Sequence, residues 1–452
     1  MPKARLSSAG SPKERRAVSF FRERTGPQLA GFYECEFWSR IILQAAHADD
    51  GLRHALVALA AVHEDYEGGS TVGGNNASFA LQQYNLAIGK NLEILTSGDG
   101  PTLDKYMAPC IVFVCIEMLQ RRYGSALSLV KQAVKMFYDA TPQQQAASIW
   151  PIDIFESILS RLQTQAIGLA GPPAMGTTTP PRITDAVLCG IPDKFFSVAE
   201  AKEHFEFYTN THILSKYTSS SDSDECALPM EVLTEEDRTM WVKIYERWAA
   251  AFDTLLDSSY NTMTQRERNA ADVMQMRRLM LYTSVDMTCR EAKISDFGED
   301  QTFWDLYNPT FLQIVTIAES VINSMRAIGS DGKGRALFTL EMGIVGPLYD
   351  TARSCRDPVI RRKAINLLYL NPCQEGLWDS VLAARVAERV MYLEERGLKD
   401  IATSAEIGDE DRLSTVVPTF DKERRRAVIS YSRPVDSPVP LENKRMEEVI
   451  EW

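Results

Sequence analysis

The sequence predicts an all-α fold, an array of antiparallel helices packed around one central buried helix. Three observations carry this. First, Met107–Leu119 is apolar on every side: Ile111, Val114, Cys115 and Met118 mark one face, and Val112, Phe113 and Ile116 cover the others. A helix of that kind is buried all round or spans a membrane, and a span needs about 20 residues. Second, apolar residues recur at i, i+3, i+4 and i+7 in one stretch after another. Third, the period-two alternation of strands is scarce throughout.

Taken in order, residues 1–16 read as a disordered basic tail of Ser, Pro, Gly and charge without periodicity. Seven Lys/Arg against two Glu through Arg24 make this end net +5. Lys13, Arg15 and Arg16 form a nuclear-import candidate, with a solvated basic tail as the plainer reading. Helical signals begin at Phe20 and the helical region is expected over 17–397. Leu52, Ala55, Leu56, Leu59 and His63 share a face behind Asp50 as N-cap. Gly68–Gly74 breaks the pattern. Leu81, Tyr84, Ile88, Leu92 and Leu95 form the next helix, then comes the central one, then Ala126, Leu129, Val130, Ala133, Val134 and Phe137.

Pro151 opens a helix with Ile154, Phe155, Ile158, Leu159 and Leu162 inward, ending at Gly171-Pro-Pro, and 198–216 forms another. A Ser/Asp-rich linker at Ser219–Glu225 gives an internal boundary near 217–230. Thr234 with Asp237 imitates a capping box, and Trp241, Ile244, Tyr245, Trp248, Phe252, Leu255 and Leu256 follow as a wide aromatic stripe. Further helices are expected near 265–293, 302–327, 335–354, 358–370 and 376–396, with Asp357-Pro358 as a start signal. Residues 398–452 are polar, proline-punctuated and read as a loosely ordered tail.

Composition bounds function. Lys+Arg 49 against Asp+Glu 61 leaves the chain at −12, pI about 5.1, which repels a phosphate backbone. The eight cysteines are dispersed with no Cys-x-x-Cys pair, the usage of reduced, packed thiols inside a cell. No apolar signal segment and no membrane-length run occurs.

Catalytic motifs fail on spacing. His54 and His63 stand nine apart, where a zinc-hydrolase helix needs i and i+4. Gly329–Gly334 has Gly and Lys in the wrong order for a phosphate loop, and no Gly-x-Ser-x-Gly elbow occurs. Asp49-Asp50 and Glu299-Asp300 lack the acidic spacing of helical terpene cyclases. No cofactor, metal site or catalytic residue is therefore assigned. His63, Glu64, Trp241, Tyr245 and Trp248 are kept as pocket candidates, each with a plain core reading beside it.

Several stretches resemble one family. They are Phe20–Gly31 (FFRERTGPQLAG) running into Phe37-Trp38 and Leu43-Gln44; Leu52–Glu64 (LRHALVALAAVHE); Ala80–Tyr84 with Ala87-Ile88; Cys110–Leu119; and Cys355–Ala364 (CRDPVIRRKA) with Leu367-Leu368 and Glu375–Asp379 (EGLWD). In this order, over about 18–396, they resemble the regulatory domain of fungal transcription factors of the binuclear zinc cluster type. The resemblance implies an all-helical module that restrains or releases activation and contacts partners or small effectors. The chain departs from it at the cluster, which needs six close cysteines, whereas residues 1–34 hold none.

Two explanations stay open: a truncated gene model, or a regulatory-domain-only protein. The expectation is a nuclear or nucleocytoplasmic, non-enzymatic regulator, acting on gene sets such as a secondary-metabolite cluster. It would work through protein partners, either transcription machinery or a DNA-binding factor, without direct sequence-specific DNA binding and without a membrane. A small-molecule effector and a homodimer stay open. The alternative is a small-molecule binder or biosynthetic enzyme on the same scaffold.

Overall fold

The computed structural model describes residues 10–33, 35–69, 74–96, 102–170, 188–215, 234–291, 301–328, 336–413, 416–420, 426–431 and 446–451. The all-α expectation holds. Helices α1 (Pro12–Phe20), α2 (Gly26–Leu29), α3 (Ile42–Ala48), α4 (Asp50–Glu67), α5 (Ala77–Thr96), α6 (Leu103–Leu119), α7 (Tyr123–Asp139), α8 (Pro142–Ala146) and α9 (Ile152–Ala170) form the first half. Helices α10 (Val198–Ser215), α11 (Glu235–Ser259), α12 (Gln265–Glu291), α13 (Asn308–Ile328), α14 (Val345–Ser354), α15 (Pro358–Leu370) and α16 (Ser380–Glu394) form the second.

The central helix is α6. Met107, Ile111, Val112, Val114, Cys115, Ile116 and Met118 are at most 1% exposed, while Cys110 and Phe113 are half-buried at the edge of the core. The helix starts four residues before the apolar run, at Leu103, and carries Pro109 inside it. Proline there forgoes one helical hydrogen bond. Near its C-terminal end the buried carboxylate of Glu117 accepts from Tyr84 Oη at 2.9 Å. α4 and α7 pack directly against α6, and α5 packs on α4.

Local start signals decide where helices begin. Asp49 rather than Asp50 caps α4, accepting from Leu52 N at 2.8 Å. Thr234 and Asp237 close the capping box of α11, and Asp357 caps α15 through Val359 N and Ile360 N. The basic tail expected over 1–16 is helix from Pro12 onward. Ser11 and Glu14 form a capping box with Pro12 in the first turn, a start signal strong enough to order a polar segment. Residues 1–9 and the boundary expected at 217–230 lie outside the described residues.

Two small sheets depart from the expectation. β1 (Leu337–Thr339) runs parallel to β2 (Cys373–Glu375), Leu337 opposite Cys373, and β3 (Trp378–Asp379) returns antiparallel. The helices expected at 335–354 and 376–396 therefore start late, at Val345 and Ser380. The expected C-terminal tail holds β4 (Val416–Phe420), β5 (Arg426–Tyr431) and β6 (Met446–Glu451), an antiparallel meander with Val416 opposite Tyr431 and Arg426 opposite Glu451. Ahead of it, Ile407, Arg412 and Leu413 are buried.

Two apolar cores result. The large one gathers α1 to α7, α9 and α13 to α16 with β1 to β5. The small one gathers Tyr33, Ile191, Phe195, α10, α11 and the first half of α12. α12 serves both: Ala270, Ala271 and Met274 face the small core, while Val273 and Met276 face the large one.

Candidate functional site

The pocket candidates fall in two places. His63 and Glu64 sit on α4 at the large core. His63 is 0% exposed, with Thr25 Oγ1 3.0 Å from its Nδ1 and Gln28 Oε1 3.2 Å from its Nε2. Phe20, Tyr66 and Phe338 surround the ring. Burial first, and then the charge of Arg24, lower its pKa to about 3. It is a neutral histidine, held by both nitrogens. Glu64 pairs with Arg16 and accepts from Asn76 Nδ2 at 3.1 Å.

Trp241 and Trp248 lie in the small core, and Tyr245 is half-buried beside them. Trp248 donates to Ala201 O at 3.0 Å and stacks on Phe252 at 4.9 Å. Trp241 meets His212 edge-on at 4.7 Å, and Tyr245 lies 5.8 Å from Tyr282. The cavity left among these rings is about 10 Å³, room for about one water. Trp241, Tyr245 and Trp248 all border that space.

The import candidates all lie on α1, at its outer side. Lys13 Nζ sits 4.4 Å over the Phe79 ring, Arg15 Nη1 donates to Gly10 O at 2.6 Å, and Arg16 pairs with Glu64.

The most charged buried arrangement joins the two cores, and no motif in the sequence marks it. α9 presents Ser160, Arg161 and Thr164; α10 presents Lys202, Glu206 and Asn210 at i, i+4 and i+8. Arg161 forks onto Glu206 Oε2 from Nε at 3.2 Å and Nη2 at 2.9 Å, and donates from Nη1 to Glu341 Oε1 at 2.5 Å. Lys202 Nζ lies 2.5 Å from Glu341 Oε2 and 4.0 Å from Glu206 Oε2. Arg277 on α12 closes the other side, Nη1 to Glu206 Oε1 at 3.3 Å. Asn210 completes the ladder, accepting from Thr164 Oγ1 at 2.5 Å and donating to Ser160 Oγ at 2.7 Å.

Arg161, Lys202, Glu206, Arg277 and Glu341 are 6–7% exposed. Burial pushes the Glu206 carboxyl up, but Arg161, Lys202 and Arg277 outweigh it and hold the group below the ordinary carboxylate range. Tyr33 enters from the N-terminal turn, its ring 4.3 Å from Lys202 Nζ. Its hydroxyl has no hydrogen-bond partner among the described residues, and burial raises its pKa. From sequence the stripe Lys202, Glu206, Asn210 reads as a wet helix face. Only the arrival of α9 and Glu341, distant in the chain, dries it.

An open groove of about 1060 Å³ lies between α16 and β6, bordered by Arg385, Arg389, Tyr392, Arg396 and Val449. Its three arginines are matched by Glu388, Glu395 and Glu451 on the same walls. Among the described residues no group of three or more His, Cys, Asp or Glu side chains is placed to hold a metal, and no helix is long and apolar enough to cross a membrane. Cys115, Cys355 and Cys373 are buried, and the described cysteines form no disulfide. Burial pushes the Cys110 thiol up to about 11 and the Cys355 thiol to about 12.

The described residues form a helical scaffold with two apolar cores and a buried charged seam between them. Similarity to a curated protein points to the class such a scaffold serves. The chain is 24% identical to the aspercryptin biosynthesis cluster-specific transcription regulator atnN of Emericella nidulans, in an alignment covering 97% of this chain and 82% of the relative. The similarity thus runs along nearly the whole chain and supports a transcription-factor-like identity. No family model and no solved structure matches.

Proposed function

We propose that this protein is a transcription-regulatory protein acting in the nucleus on a gene cluster for secondary metabolism. The observation that carries the reading is the similarity to a cluster-specific regulator over 97% of the chain. The all-helical build agrees with the module that the sequence resembles. Within that role the chain works through contacts with other proteins, with transcription machinery or a DNA-binding factor as the natural partners. Its eight cysteines include no closely spaced set of the kind that would grip two zinc ions, and the net charge of −12 opposes phosphate contacts.

The test is genetic and cellular. Deleting and overexpressing the gene should move the transcripts of a co-located biosynthetic gene set in opposite directions, with a fluorescent fusion accumulating in nuclei. Unchanged transcripts in both strains would overturn the reading. Tight, sequence-selective binding of the purified chain to a duplex at high salt would overturn the protein-contact clause.

A further inference from the structure

We infer that α10 and α11 form one movable unit, which swings away from α9 by opening the charged seam while the small core on α12 stays packed. The two faces of α10 are unlike. Toward α11 it presents Ala201, Phe205 and Tyr208, with Trp248 closing on Phe205 at 4.9 Å. Toward α9 it presents Lys202, Glu206 and Asn210, met by Ser160, Arg161 and Thr164. The charges cross reciprocally: α10 supplies a cation to Glu341 and a carboxylate to Arg161.

Physics separates these faces. Parting the apolar one exposes oily surface to water at about 25 cal/mol per Å². Parting the charged one returns ions to water, recovering much of the desolvation cost of burying them. Interfaces with that polar character permit relative motion by default.

The closed seam is also incompletely satisfied. Among the described residues, three cations face two carboxylates across it. The next carboxylate, Glu375, is occupied by three backbone amides, Gly343 N, Ile344 N and Val345 N, each at 2.9 Å. The Tyr33 hydroxyl is unpartnered among the described residues.

α12 is the fixed side of the joint. Arg266 donates to the carbonyls of Gly31, Phe32 and Tyr33 at 3.0 Å each, and Asn269 Oδ1 accepts from Ser324 on α13 at 2.7 Å. The motion therefore breaks the Glu206 fork to Arg161 and frees Lys202 from Glu341, while Arg277 on α12 stays on Glu206 and over the Phe205 ring. It uncovers a strip of mixed charge on α9 and α10, a surface that the closed form withholds from any partner.

The experiment is thiol labelling of the full-length chain. Thr164→Cys and, separately, Asn210→Cys place a reporter thiol on each side of the seam. Native Cys115 and Cys355, both 0% exposed in the large core, report global unfolding in the same sample. Maleimide labelling is followed peptide by peptide over a urea series. Without urea, each introduced thiol should label at least about tenfold faster than Cys115. Its urea dependence should be much shallower, the signature of a local opening. Labelling of either introduced thiol that tracks Cys115 in rate and slope overturns the proposal. If one variant does not fold, the other decides alone. Replacing Arg161, Lys202, Glu206 and Glu341 together by Met in the Thr164→Cys background should slow the reporter toward the Cys115 rate. No slowing in a folded protein counts against the seam as the moving surface.

Discussion

His63 shows what a single buried titratable group does to the whole chain. Its folded pKa of about 3 lies below the ordinary value of 6.5. Above 6.5 both folded and unfolded forms are neutral, and the group costs nothing. Below it the unfolded chain takes up a proton that the folded one refuses, so stability falls as pH drops from about 6.5 toward about 3. Between about pH 7 and about pH 5 this one residue should remove about 2 kcal/mol. Urea titrations of wild type and His63→Gln at both pH values check it: the variant loses less on acidification. Equal losses would show that the ring is protonated in the fold.

Glu375 acts on a helix from a distance. It reaches from β2 to the start of α14, where it accepts from three amides that the helix cannot bond itself. Glu375→Gln keeps the shape, loses the charge and puts a donor where an acceptor stood. The expected loss is about 1–3 kcal/mol, read as a lowered thermal midpoint. The next residue, Gly376, has φ +56° and lies so close to Gln165 that a Cβ would collide with its side-chain amide. That explains the Gly in EGLWD physically. The stretch is visible in the sequence; its job of capping a helix 30 residues away in the chain is not.

At the scale of elements, periodicity is a good guide where a helix has one face to bury and a poor one elsewhere. The central helix, the Thr234–Asp237 start and the Asp357-Pro358 start all lie where local signals predict them. β1 and β2 escape because three residues show no alternation and their pairing is remote, Leu337 with Cys373. The seam escapes for the reason a stripe of Lys, Glu and Asn always does: burial is a property of the neighbour, not of the stripe.

The segment after α16 reads as loose because it is polar, yet one arginine straps it down. Arg412, 1% exposed, donates to the carbonyls of Ile407, Gln301 and Ser404 and to both carboxylate oxygens of Asp305. Leu413 N then donates to Glu394, which burial would raise but Arg361 and Arg356 hold low. Arg412→Met should cost about 3 kcal/mol and make 401–413 the first site of limited proteolysis. A digestion pattern unchanged from wild type would mean that Arg412 is not the strap.

At the scale of the molecule, two cores joined by a charged seam need not melt together. Two-state unfolding rests on one continuous apolar core, and sub-global units open separately where the contacts between them are weak. The large core runs from Ala17 to Tyr431 through α6; the small one holds Tyr33, Ile191, Phe195, α10, α11 and the N-terminal half of α12. The full chain should therefore unfold in two steps, the small core first. Trp248 is the lever, since it is 1% exposed and touches Phe195, Phe205 and Phe252. Trp248→Ala should cost about 3–5 kcal/mol, and that loss should appear in the first calorimetric transition alone. Ile111→Ala on α6, a truncation of the same kind in the large core, should move the second transition instead. If either variant shifts a single shared transition, the cores are one cooperative unit. The seam would then be a rigid weld, and regulation would have to act on the outer surface without any rearrangement between the two cores.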